Sequence, residues 1–139
     1  MSFFNPETGE MQFPHGLCFR GGMPVDAIDP HLRYTGQQEA VYCLPPLAVE
    51  GGSLGAVLTA DPNGLRTLRL TVASITGRHQ VPGERQRAFL FDLFRLADPC
   101  PDTRQNVRLK APFGRLTLYT DPVTGQAGAL LEYIRNESV

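Results

Sequence analysis

Residues 65–75 read Leu65-Arg66-Thr67-Leu68-Arg69-Leu70-Thr71-Val72-Ala73-Ser74-Ile75. Leu68, Leu70 and Val72 share one parity, and Arg69 and Thr71 take the other. That period of two is what a half-buried strand imposes on its side chains. A strand of this kind needs neighbours to bond its backbone and a cover for its apolar side. The flanking sequence predicts both.

Just upstream, Asp61-Pro62-Asn63-Gly64 joins this strand to another apolar stretch at 54–60. Asn5-Pro6-Glu7-Thr8-Gly9 and Asp121-Pro122-Val123-Thr124-Gly125 repeat the same turn grammar. In each, Asp or Asn opens the turn and its side chain caps backbone amides. Proline then sets φ, and glycine supplies the left-handed residue that closes the turn. These three turns predict three β-hairpins. Core strands are expected at 38–44, 54–60, 65–75, 115–120 and 127–134, with shorter ones near 2–5, 10–13 and 17–19.

One helix is expected over 84–97. Pro82-Gly83 opens it and Asp98-Pro99 ends it, because the residue before a proline avoids helical geometry. At 100° per residue, Phe89, Leu90, Leu93, Phe94, Leu96 and Ala97 form the broad apolar side. Phe91 falls outside that stripe, among the charged residues. A shorter helical turn at Val25–Leu32 would be interrupted by Pro30. The expected fold is α+β: a curved, mainly antiparallel sheet of about five to seven strands packed on one main helix (84–97). No linker divides residues 1–139, so a single domain is expected.

The 139 residues are 42% apolar and 19% charged, which fits a compact domain and excludes a disordered or fibrous chain. A formal charge of −1 argues against general nucleic-acid or membrane binding. No apolar run has the length of roughly 18 residues that a membrane span requires. The N-terminus lacks the basic and apolar regions of a secretory signal. Cys18, Cys43 and Cys100 are odd in number and widely spaced, as in reduced thiols. A cytoplasmic location is expected.

Catalytic constellations are not evident. His15 sits in a turn, His31 follows a proline, and His79 lies in the loop before the helix. His15 and Cys18 are three apart with no second pair to complete a zinc site. Gly51-Gly52-Ser53-Leu54-Gly55 has neither the Lys-Ser/Thr of a phosphate loop nor the context of a nucleophile elbow. Cys100 has acidic neighbours that would disfavour its thiolate. No catalytic residue, cofactor or metal is expected.

Charge is unevenly spread. Residues 1–50 carry six acidic and two basic side chains (−4), and residues 66–115 carry ten basic and four acidic (+6). If the helix back and the polar sheet face converged, Arg66, Arg69, Arg78, Arg85, Arg87, Arg95, Arg104 and Arg108 would form a basic surface. Arginine beside an aromatic suits a protein interface, so Arg69, Arg85, Arg87, Phe91 and Arg95 are the candidate partner-binding residues. The alternative is a small-molecule pocket, or a small enzyme's pocket, between sheet and helix, lined by Arg78, His79 and Tyr119. Segment 127–134 carries Glu132 as its only charge, so at a sheet edge it would favour a homodimer. The expected partner is another protein, with neither nucleic acid nor membrane.

Two end segments carry a resemblance. The chain begins with an aromatic-rich hairpin and the strand Gly16-Leu17-Cys18-Phe19. It ends with Pro112-Phe113-Gly114-Arg115-Leu116, the turn at Asp121-Pro122, and Leu131-Glu132-Tyr133-Ile134. This layout resembles small bacterial proteins of unknown function, some of them immunity-like and encoded beside polymorphic toxins. The resemblance covers the two ends only. It implies a non-catalytic protein binder and assigns no functional residue.

Overall fold

The computed structural model describes residues 3–14, 17–23, 33–35, 40–61, 64–99 and 105–134. In chain order the elements are β1 (Met11–Gln12), β2 (Cys18–Phe19), β3 (Arg33–Thr35), β4 (Ala40–Val49), β5 (Gly52–Asp61), β6 (Gly64–Ile75), α1 (Gly83–Phe94), β7 (Val107–Ala111), β8 (Gly114–Thr120) and β9 (Ala127–Tyr133). The fold is α+β. Seven strands form one sheet in the order β3-β4-β5-β6-β9-β8-β7, and β1 and β2 form a separate pair. Every pairing is antiparallel.

The turns form as their residues dictate. Asn5 Oδ1 accepts the amides of Glu7 at 2.9 Å and Thr8 at 3.3 Å. Asp121 Oδ1 accepts those of Val123 at 2.8 Å and Thr124 at 3.3 Å. In both turns the glycine amide, of Gly9 or Gly125, closes on the first residue's carbonyl at 2.8 Å. The turn at Asp121 joins β8 to β9. The turn at Asn5 sets up the bridge between Phe4 and Met11, the only pairing within 2–5 among the described residues. Pro62, Asn63 and the expected helical turn at Val25–Leu32 lie outside the described residues.

One side of the large sheet is buried. Leu54, Ala56, Leu58 and Ala60 of β5, Leu68, Leu70 and Val72 of β6, and Ala127, Ala129, Leu131 and Tyr133 of β9 all point into it. Helix α1 lies there, against β9, β8 and β6. The N-terminal pair joins it through an aromatic cluster. Phe4 meets Phe94 at 5.0 Å and Phe113 at 5.9 Å, and Phe3 meets Phe13 and Phe94 at 5.2 and 5.5 Å, all edge-on. Edge-on contact is the geometry that ring quadrupoles favour. The Tyr133 hydroxyl donates to the Gly9 carbonyl at 2.8 Å within this cluster. Gly9 has φ +72, and a Cβ there would lie 2.5 Å from the Phe113 ring, so glycine alone fits.

The helix differs from its sequence reading in length and in face. It ends at Phe94 rather than Ala97, because Arg95 turns left-handed at φ 56. The Arg95 amide bonds Asp92 O at 3.1 Å and the Leu96 amide bonds Phe91 O at 2.9 Å, which is a Schellman stop. The chain then folds back over the helix. Asp98 reaches Arg87, whose Nε and Nη2 donate to its carboxylate at 2.5 and 2.9 Å. Arg87 Nη1 also donates to the Gln105 carbonyl at 2.7 Å. The buried stripe is therefore Arg87, Leu90, Phe91 and Phe94, with Phe89, Leu93 and Leu96 only partly covered.

Two strand boundaries also differ. β4 runs on to Val49 through Pro45 and Pro46, past the expected end at residue 44. Its register slips between Leu44 and Leu47, so the prolines sit in a bulge. Among the described residues β3 pairs only with Ala40–Tyr42, so at the prolines β4 has β5 alone as a described neighbour, and at a bulge a missing N–H costs little. β7 was not expected at all.

Candidate binding face

The other side of the large sheet carries the candidate site. Directly paired residues of antiparallel strands share a face, so the registers define rows across it. One row is Val41, Thr59, Thr67, Glu132, Arg115 and Lys110. The next is Cys43, Val57, Arg69, Leu130, Thr117 and Arg108. A third holds Gly55, Thr71, Gly128 and Tyr119. No described helix or strand packs over these rows.

Arg69, Arg108, Lys110 and Arg115 are exposed on this face, and Glu132 is its half-buried carboxylate. Among the described residues two ion pairs form, Arg66 with Asp61 at 3.4 Å and Arg87 with Asp98. Neither uses any of the four exposed cations. Lys110 and Arg115 stand directly opposite each other on β7 and β8, and like charges so placed repel. An anion between them would relieve that repulsion. Beside them, Arg66, Thr67, Lys110, Arg115, Glu132 and Ile134 help to line an open depression of about 560 Å³.

Tyr119 is the aromatic member of the face. A Cβ on Gly128 would lie 2.4 Å from its hydroxyl, so glycine lets the ring lie flat across β9. The Arg69 guanidinium is 6.0 Å from the ring centroid. Burial pushes the Tyr119 phenol up, a shift that nearby Arg69 partly offsets. The Thr59 and Thr67 hydroxyls bond to each other across β5 and β6. They give this part of the face a neutral, polar floor.

The expected partner group is not assembled. Arg69 lies on the open face, whereas Arg85 is exposed on α1 and Arg95 just past its end, on the far side of the sheet. Arg87 and Phe91 are 4% and 3% exposed, so neither can meet a partner. Phe91 belongs to the core, with the Arg87 guanidinium 5.3 Å over its ring. The helix back and the polar sheet face therefore do not converge, and the basic residues divide between two surfaces. Arg104 lies outside the described residues.

The alternative pocket is not assembled between sheet and helix either. Arg78 and His79 are exposed after β6, with Arg78 bridged by its backbone to Ile75. Tyr119 sits on the face turned away from α1. β9 is no edge: it lies between β6 and β8, and the terminal strands are β3 and β7. The route to a homodimer through 127–134 is therefore closed.

Sequence reasoning missed Lys110 and Arg115. Their signal was present in the alternation of Val107-Arg108-Leu109-Lys110-Ala111, followed by the turn residues Pro112-Phe113-Gly114.

Among the described residues, no three His, Cys, Asp or Glu side chains gather. Cys18 is half-buried, its thiol donating to Glu10 Oε1 at 3.2 Å. Burial first, then that bond, pushes the thiol up, away from the thiolate a nucleophile needs. His15, His31 and Cys100 lie outside the described residues.

A scan of protein-family models finds no match, and searches of curated proteins and solved structures find none either.

Proposed function

We propose that this protein is a non-enzymatic binding module of the bacterial cytoplasm that grips an acidic segment of another protein on the open face of its sheet. Such a role fits an immunity-like or accessory protein. The observation that carries it is the group of exposed cations on one face of the sheet, Arg69 on β6 and, beyond β9, Arg115 on β8 and Arg108 and Lys110 on β7, with Lys110 and Arg115 in direct opposition. Complementary charge on a partner would speed encounter and set its register. Leu130 and Tyr119, with Val57 on the far side of Arg69, supply apolar area beside the charges, as interface centres require.

A second reading has one observation in its favour. The open depression beside Lys110 and Arg115 is large enough for a small anionic molecule.

Methyl resonances separate the two faces. Adding a glutamate-rich peptide should shift the methyl signals of Thr67, Thr71, Thr117 and Leu130, which lie on the open face. Those of Leu68, Leu90 and Leu131, in the core, should stay in place. Shifts confined to the methyls of α1 would overturn the assignment, and shifts from citrate or inorganic phosphate alone would favour the second reading.

A further inference from the structure

The sheet ends at β7, a five-residue strand paired on one side only among the described residues. Its side chains alternate cleanly. Val107, Leu109 and Ala111 are half-buried against the core, and Arg108 and Lys110 are exposed on the open face. An unpaired edge presents a row of N–H and C=O groups that another strand can bond. Charges on such a strand choose which strand that is.

A second copy of β7 is a poor candidate. Antiparallel self-pairing would set Arg108 and Lys110 against each other's images, on a hairpin where Lys110 already faces Arg115. An acidic strand would instead set carboxylates beside Arg108 and Lys110. We infer that β7 is a docking edge for an extended acidic segment of a partner protein, which joins the sheet as an eighth, outermost strand. This rests on the open face being the binding face, and adds how the partner lies on it.

The pleat then dictates the partner's sequence. Residues beside Arg108 and Lys110 fall on the open face and should be Asp or Glu. Those between fall on the α1 side, beside Val107, Leu109 and Ala111, and should be apolar. The segment would alternate acidic with apolar residues for about five positions, since main-chain bonds give strand addition its affinity and alternate side chains its specificity.

The probe is a synthetic peptide of alternating glutamate and valine, titrated against the full chain by calorimetry. Two further peptides carry N-methyl groups, one on every glutamate and one on every valine. In an extended strand the amides of alternate residues point to the same edge. Strand addition therefore expects one methylated peptide to lose binding by at least about tenfold while the other keeps it. A block peptide of the same composition, four valines then four glutamates, should bind more weakly than the alternating one.

Equal binding by both methylated peptides and the block peptide would overturn strand addition while leaving an acid-binding face. No binding by any of these peptides would overturn both readings. Sedimentation of the chain alone as a dimer that Arg108→Glu/Lys110→Glu abolishes would assign the edge to a second copy instead, and overturn this inference.

Discussion

Arg87 and Asp98 form a two-point ion pair, with the arginine side chain 5% and the aspartate side chain 14% exposed. The pair ties the middle of α1 to the segment that follows it, and the Gln105 carbonyl takes a further arginine N–H. Removing one partner of a buried pair strands the other's charge. Arg87→Ala should therefore cost about 3–5 kcal/mol of folding stability. Arg87→Lys keeps the charge but not the planar fork, so it should recover only part of that loss. Urea titrations of both variants measure this, and a loss below about 1 kcal/mol for Arg87→Ala would contradict it.

Phe91 and Phe89 separate two readings of the same helix. The apolar stripe of the sequence favours Phe89 as core, while the structure buries Phe91 and leaves Phe89 partly exposed. Phe91→Ala should cost about 3–5 kcal/mol, with Phe89→Ala costing clearly less. The reverse order in thermal or urea unfolding would place the helix with its other side to the sheet.

Tyr133 gives the fold an alkaline limit. Burial raises its phenol well above the ordinary 10.0, with Cys18 and Glu10 adding to the shift. A folded-state value above the unfolded one means that the protonated ring stabilises the fold fully below about pH 10 and loses that effect as the pH rises further. Tyr133→Phe should lower stability at neutral pH by about 1 kcal/mol, the cost of the lost bond to Gly9. It should also flatten the decline above about pH 10, leaving the smaller contribution of Tyr119. Unfolding curves at a series of pH values check the sign, and an equally steep decline in the variant would contradict it.

The local grammar of the chain carried most of the fold. Asn5 and Asp121 specify their turns through short-range side-chain bonds, so both are legible without any tertiary knowledge. The parity of Leu68, Leu70 and Val72 likewise holds in the sheet. What escaped was non-local. Nothing within the helix announces that Arg87 faces inward, because its partners lie 11 and 18 residues away. The left-handed Arg95 was equally hidden, since glycine is the usual marker of such a stop. Pro45 and Pro46 mark a strand end in sequence, and only the register slip between Leu44 and Leu47 shows the strand passing through them.

The candidate site was half legible. Arg69 could be placed on a polar sheet face by parity alone. Grouping it with Arg85 and Arg95 failed because strand order decides which faces meet. That order inserts β9 between β6 and β8, far from sequence order. It is this insertion that brings Arg69 onto one surface with Arg108, Lys110 and Arg115.

The most direct test of that surface is fluorescence anisotropy with a labelled glutamate-rich peptide, at about 50 and about 200 mM salt. Three chains are compared: the unaltered protein, Arg69→Glu/Arg108→Glu/Lys110→Glu/Arg115→Glu, and Arg85→Glu/Arg95→Glu. Thermal unfolding confirms that each is folded. The unaltered protein should bind, more weakly at the higher salt. The sheet variant should lose at least about tenfold in affinity, and the helix variant should lose little. Binding that survives reversal of the four sheet charges, or that the helix variant alone abolishes, would contradict the account.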